Sequence, residues 1–176
     1  MYVRRIVTGI DSDGKSILVS DGSAPRTRDF EHIPGFSNTV VWATESAQAP
    51  TGKPEDPTPT LTAFTAPAGG SRLFVVQIPP ASVFAGLDFA AADAEQNEHL
   101  PGLAETFDPE RPGFHRTQSV DYMVLLQGEL WLELDKGPAV QVRPGHIVVQ
   151  NGTYHAWTNK SDQPAVFMAC SMGTSA

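Results

Sequence analysis

The sequence predicts an all-β barrel or sandwich. Three observations carry this. Short β-branched runs recur at roughly ten-residue spacing in the second half of the chain. Turns centred on glycine or proline separate them. Leu130, Leu132 and Leu134 alternate with Trp131, Glu133 and Asp135, the period-2 mark of a half-buried strand. The chain has 176 residues, 40% of them apolar and 18% charged, enough for one globular domain with its own core.

The elements follow in order. Val3 to Ile10 and Ser16 to Ser20 are β-branched runs flanking "DSDGK", whose turn chemistry makes them a hairpin. Asn38 to Thr44 is a further strand. From Glu45 to Gly70 the chain is crowded with Pro, Thr, Ala and Gly and reads as a surface loop. Ser71 to Pro80 is a strand closed by two prolines. The stretch from Leu87 to Phe107 holds a helical turn or two, and Pro101-Gly102 forbids one long helix. After Phe114 come two apolar runs around Gly128, then "AVQVR", "HIVVQ", "NGTYHAWTN" and "AVFMACSM", each set off by a turn. Residues 1–70 are expected as an N-terminal hairpin, strand and loop extension packing on a barrel of residues 71–176, within one structural domain.

The formal net charge of -8 opposes binding to phosphate backbones and anionic membrane surfaces, so neither nucleic acid nor membrane is an expected partner. Between Gly86 and Glu110 lie Asp88, Asp93, Glu95, Glu98, Glu105, Asp108 and Glu110 with no Lys or Arg, which reads as a solvated face. No stretch approaches the ~20 apolar residues of a membrane span. The first residues lack the apolar middle of a secretory signal. The single cysteine, Cys170, excludes an internal disulfide, reads as a buried small hydrophobe, and makes the cytoplasm the expected setting. "GKS" at Gly14 to Ser16 lacks the glycine spacing of a phosphate loop, and no Gly-x-Ser-x-Gly elbow supports serine hydrolysis.

The polar residues that could carry chemistry cluster near two turns. His115, Thr117, Ser119 and Asp121 share parity, so a regular strand would put them on one face. A straight strand would still hold His115 and Asp121 roughly 20 Å apart, so a shared site requires a bend near Gln118-Ser119. His155 follows a second turn, and Trp157 shares its parity. His32, His99 and His146 read as loop or surface residues. Phe114, Tyr122 and Trp131 read as packing residues, and Arg116 as a surface or interface ion pair. The alternative is an empty barrel in which His115 and Asp121 pair by hydrogen bond and His155 caps a turn.

From Gly113 to Asn159 the chain resembles the cupin family, whose fold is a double-stranded β-helix or jelly-roll barrel. The family's first motif is a histidine, one residue, a second histidine, a short gap, a glutamate, six residues and a glycine. His115 matches the first histidine and Gly128 the glycine. Thr117 stands at the second histidine, and Asp121 at the glutamate. Gly145, Gly152, His155 and Asn159 match the second motif, with Gln150 at a proline position and one residue missing between the glycines.

The resemblance implies a jelly-roll barrel, a site inside it and a homodimer in which N-terminal strands join the partner's sheet. It also implies a divalent metal, Fe, Zn, Mn or Ni, held here by His115, Asp121 and His155, with Thr117, Gln150 and Trp157 lining a substrate pocket. A metal so held would polarise a substrate oxygen or, if iron, activate dioxygen. His155 or Asp121, if unligated, would act as general base. Three functions stay open: a metal-dependent dioxygenase, isomerase or decarboxylase on a small organic molecule; a non-catalytic ligand-binding module; and a metal-free acid/base isomerase. Metal content separates the first from the others, and turnover without metal separates the last two.

Overall fold

A computed structural model describes residues 1–47, 52 and 54–175. Eleven strands run antiparallel to their partners: β1 Arg4–Ile10, β2 Ser16–Ser23, β3 Arg26–Asp29, β4 Ser37–Thr44, β5 Ser71–Ile78, β6 Ser119–Gln127, β7 Leu130–Leu134, β8 Val140–Val142, β9 Ile147–Asn151, β10 His155–Thr158 and β11 Ala165–Gly173. Six form one sheet in the order β3-β4-β5-β11-β6-β9, and three form a second, β10-β7-β8. The β1–β2 hairpin stands as a separate ribbon, with β2 running to Ser23 rather than Ser20.

The two sheets face each other across the core, as in a jelly roll. Period-2 alternation builds that core from the large sheet. Phe74 and Val76 on β5, Met123 and Leu125 on β6, and Ala165 and Phe167 on β11 all point inward. Leu130 and Leu132 of β7 and Val142 of β8 meet them from the small sheet. Leu134, third in the leucine alternation, lies at the strand's end and is exposed. Gly128, at φ +77°, makes the β6–β7 turn, and a side chain there would press on the Pro164 and Ala165 backbone.

The helical expectation between Leu87 and Phe107 falls short of the structure. Helix α1 covers Phe89–His99, three turns rather than one or two, with the Asp88 side chain accepting from the Ala91 N–H at 3.2 Å. It stops before Pro101, whose ring cannot continue the helix. Its acidic residues are not all solvated either. Glu95 is buried and accepts from the N–H groups of Glu31 (2.9 Å) and His32 (2.8 Å) and from Arg28 (3.2 Å). Burial pushes its carboxyl upward, but these donors outweigh that and hold it below the usual range. Glu95 thus pins α1 to the segment between β3 and β4.

Of the expected loop over 45–70, residues 48–51 and 53 lie outside the described residues. The remainder packs on the barrel: Leu61 and Phe64 are buried, and Phe64 stacks on Phe74 at 6.0 Å. Arg26 donates to the carbonyls of Thr58 and Leu61, and Arg5 pairs with Asp56.

One packing expectation is corrected. Tyr122 is 50% exposed, because β6 turns Met123 and Leu125 inward. On β9 the parity runs the other way from the apolar pattern: Gln150 is buried while Ile147 and Val149 face out. His146 is exposed because it sits in the turn before that strand.

Candidate functional site

Two histidines arrive at one point from different parts of the chain. His115 precedes β6 and His155 opens β10. They form an isolated antiparallel bridge, each backbone N–H donating to the other's carbonyl, at 2.9 and 3.0 Å. Residues paired this way project to the same face. Their ring centroids lie 4.4 Å apart, with the planes inclined at 49°. Phe107 packs on His115 at 4.6 Å, and Trp157 meets His155 edge-on at 6.1 Å.

The tautomers follow from the partners. The Nδ1 of His155 lies 2.9 Å from the carbonyl of Thr153, and that of His115 lies 3.3 Å from the carbonyl of Gly113. A carbonyl only accepts, so each neutral ring carries its proton on Nδ1 and keeps its lone pair on Nε2. Among the described residues neither Nε2 has a hydrogen-bond partner. Both rings stay neutral at neutral pH. Burial and the neighbouring His155 push His115 down to about 4, against a small upward pull from Gly113. Burial also lowers His155, while the Thr153 carbonyl and the charge of Asp121 oppose the shift.

The chain bends at Gln118, where a bend is needed to bring His115 and Asp121 to one cavity. Asp121 does not bond to His115. Its Oδ1 accepts from the Ser119 hydroxyl at 2.7 Å, and Ser119 hydrogen bonds Thr117 at 2.8 Å. Gln150 sits opposite Asp121 in the β6–β9 ladder and donates to Thr153. All six residues singled out by sequence, His115, Thr117, Asp121, Gln150, His155 and Trp157, line a single cavity of about 780 Å³. Phe36, Phe74, Phe84 and Phe167 make much of its remaining wall, and α1 lies along one side. A smaller polar hollow of about 390 Å³, lined by Arg116 and Thr106, meets the cavity at Thr65, Thr117 and Ser171. Arg116 is exposed there and forms no ion pair among the described residues. His99, expected at the surface, is half-buried with its ring edge against Phe30.

The donors do not converge on a metal as they stand. Among the described residues no group of three or more His, Cys, Asp or Glu side chains is placed to share one ion. Two imidazoles offer free nitrogens, but the carboxylate is engaged by Ser119, and a hydroxyl replaces the third imidazole.

No family model matches the chain. It is 29% identical over 157 residues, 89% of its own length and 64% of the relative's, to the cupin-domain-containing oxidoreductase fogC of Aspergillus ruber. Two facing sheets with both motif histidines in the cavity between them agree with that likeness. The chain has a cupin-type jelly-roll fold. The chain is 47% identical over 55 residues, 29% of each chain, to "Phomopsin biosynthesis cluster protein C'" of Diaporthe leptostromiformis. A Klebsiella pneumoniae protein with a double-stranded β-helix domain superposes at TM-score 0.46 and 14% identity, covering 86% of each chain. The chain spans less than two thirds of the length of these curated relatives. No helix among the described residues is long and apolar enough to cross a membrane.

Asn38 and Glu95 escaped sequence reasoning. Asn38 is buried and lines the cavity from β4. Neither residue lies in a motif, and only the tertiary fold reveals what surrounds them.

Proposed function

We propose that this cupin is a small-molecule enzyme that binds a molecule with an aromatic or apolar body and an acidic oxygen or enolisable carbonyl, and moves a proton with the His115–His155 pair. The observation that carries this is the pair of neutral imidazoles with unbonded Nε2 atoms inside an aromatic-walled cavity. His155 is the base. Its Nε2 lone pair accepts the proton, and Asp121 nearby favours the imidazolium that results. The Nε2 of His115 accepts a hydrogen bond from the ligand's hydroxyl and orients it. The apolar wall keeps bulk water from both rings.

A metal-dependent oxidoreductase is the second reading. It is favoured by the name of the Aspergillus ruber relative and by the family's metal chemistry, with His115, His155 and Asp121 as the ligands to be tested. A third outcome is a binding module without turnover. One experiment separates the three. Untagged protein is analysed for metals and then incubated with a hydroxyaryl ketone in deuterated water, with α-hydrogen exchange followed by proton NMR. Metal-free wild type is expected to accelerate exchange, and His155→Ala to lose about a hundredfold of that acceleration, within the usual range for a general base. Near-stoichiometric metal that is lost in Asp121→Ala/His155→Ala overturns the metal-free reading. Binding without exchange leaves only the module.

The reading includes a homodimer and a cytoplasmic setting, the latter resting on the lone thiol of Cys170. Support for the dimer comes from the outer face of the large sheet. Ile147 is 73% and Val149 59% exposed on edge strand β9, beside exposed Tyr122 and Leu126 on β6. The hairpin likewise exposes Ile6 and Leu18. Sedimentation equilibrium is expected to give a dimer for wild type and a monomer for Ile147→Lys/Val149→Lys; a monomeric wild type refutes this part.

A further inference from the structure

Charge is divided between the cavity and the smaller hollow beside it. Asp93, Asp108 and Asp121 line the cavity and, among the described residues, no lysine or arginine does. The hollow of about 390 Å³ reverses this: Arg116 lines it and no carboxylate does. Arg116 is exposed, so a ligand can reach it, and it has no ion pair among the described residues.

Hydroxyls stand where the two volumes meet. Thr65, Thr117 and Ser171 line both. Thr117 is engaged by Ser119, whose hydroxyl goes on to Asp121. The hydroxyls of Thr65 and Ser171 meet no partner among the described residues, and neither is sealed: the sealed, unpartnered side-chain atoms belong to Ser37 and Asn38. Ser171 is 9% exposed and shares the inward face of β11 with Phe167 and Ala169. Such a hydroxyl is satisfied by what fills the hollow, water or an acceptor oxygen. Gly102 keeps space beside them, since a Cβ there would lie 2.9 Å from the Thr65 hydroxyl. Arg72, paired with Ser171 in the β5–β11 ladder and 1% exposed, puts a second guanidinium on the same face of the sheet.

A carboxylate is repelled by the aspartates of the cavity and finds an opposite charge only in the hollow. The planar fork of an arginine matches its two oxygens. Thr117 follows His115 by two residues, at most about 7 Å of chain, so one small molecule spans the imidazoles and the hollow.

We infer that the smaller hollow is a carboxylate subsite: Arg116 supplies the opposite charge, the Thr65 and Ser171 hydroxyls donate to the carboxylate oxygens, and the rest of the same ligand lies in the aromatic cavity against the His115–His155 pair. The ligand class is then an aromatic or apolar hydroxy or keto acid with its charge at the hollow end. This rests on the proposed function for the ligand's body and adds a charge requirement that the cavity alone does not contain.

Two probes test it by calorimetry on the whole protein: para-hydroxyphenylpropanoate and its amide, alike in shape and different in charge. Wild type is expected to bind the carboxylate about tenfold more tightly, the equivalent of one hydrogen bond to a charged group. Added salt narrows the gap, because Arg116 is exposed. Arg116→Gln brings the two probes level, and Ser171→Ala reduces the preference. Equal binding of the two probes by wild type, or a preference that survives either variant intact, overturns the inference alone, since the amide still reports the cavity. Failure of wild type to bind either probe overturns the proposed use of the cavity as well.

Discussion

Arg72→Met is expected to destabilise the protein by about 3 kcal/mol or more. Arg72 is 1% exposed and faces inward on β5. Its guanidinium donates to the carbonyls of Ala63 (3.0 Å), Thr44 (3.0 Å) and Ser71 (2.9 Å) and pairs with Glu45 at 2.9 Å. Methionine fills similar space but leaves three carbonyls in the interior without that donor, at roughly 1 kcal/mol or more each. The Glu45 carboxylate contributes less, because it is exposed and water replaces the lost partner. Arg72→Lys should recover only part of the loss, since one ammonium cannot reach donors' positions that a planar fork spans. Chemical denaturation measures both. A loss below about 1 kcal/mol for the methionine variant would show that the carbonyls find other donors. Arg72, Ser171, Asp121 and Gln150 stand in one cross-strand row, so ligand binding at the site should weaken along with the fold.

The second large effect is on acid stability. His115 is held neutral down to about 4, whereas in the unfolded chain it titrates near its ordinary value of 6.5. The unfolded state therefore binds more protons between these values. Stability from this group is fully present above pH 6.5, falls as pH drops toward 4, and changes little below that. The shift corresponds to an upper bound of about 3 kcal/mol, and the half-buried position of the ring brings the expected loss nearer 2. His155 is shifted in the same direction and adds to the slope. His115→Phe keeps an aromatic ring against Phe107 and removes the titration. Its stability should fall less steeply than wild type from pH 7 to 4. Parallel pH profiles for the two proteins would refute a neutral, strongly depressed His115.

The barrel half of the fold was legible because its signals are local. The glycine turns, the leucine alternation of β7 and the spacing of His115, Gly128, Gly145 and His155 are all read within a few residues. The bend at Gln118 was legible as a condition, since a straight strand could not unite His115 with Asp121. What escaped depends on partners distant in the chain. Glu95 looks like one more solvated acid until two backbone N–H groups more than sixty residues away close on it. Asn38 carries no motif, and the missing partner of its buried oxygen is a property of everything that packs around it. On β9 the ladder with β6 turns Gln150 inward opposite Asp121, in keeping with its expected place in the pocket, and leaves the apolar Ile147 and Val149 facing out. Tyr122 follows from that same register.

The strand order of the large sheet also bears on synthesis. β11, which follows both of its neighbours in the chain, is hydrogen bonded to β5 on one side and β6 on the other. Until residues 165–173 leave the ribosome, both neighbours present an unpaired inner edge. The sheet remains in two pieces, and the cavity has no wall at Phe167, Ala169 or Ser171. Closure thus waits for β11, and a nascent chain stalled before Ala165 carries two open strand edges that invite pairing with other chains.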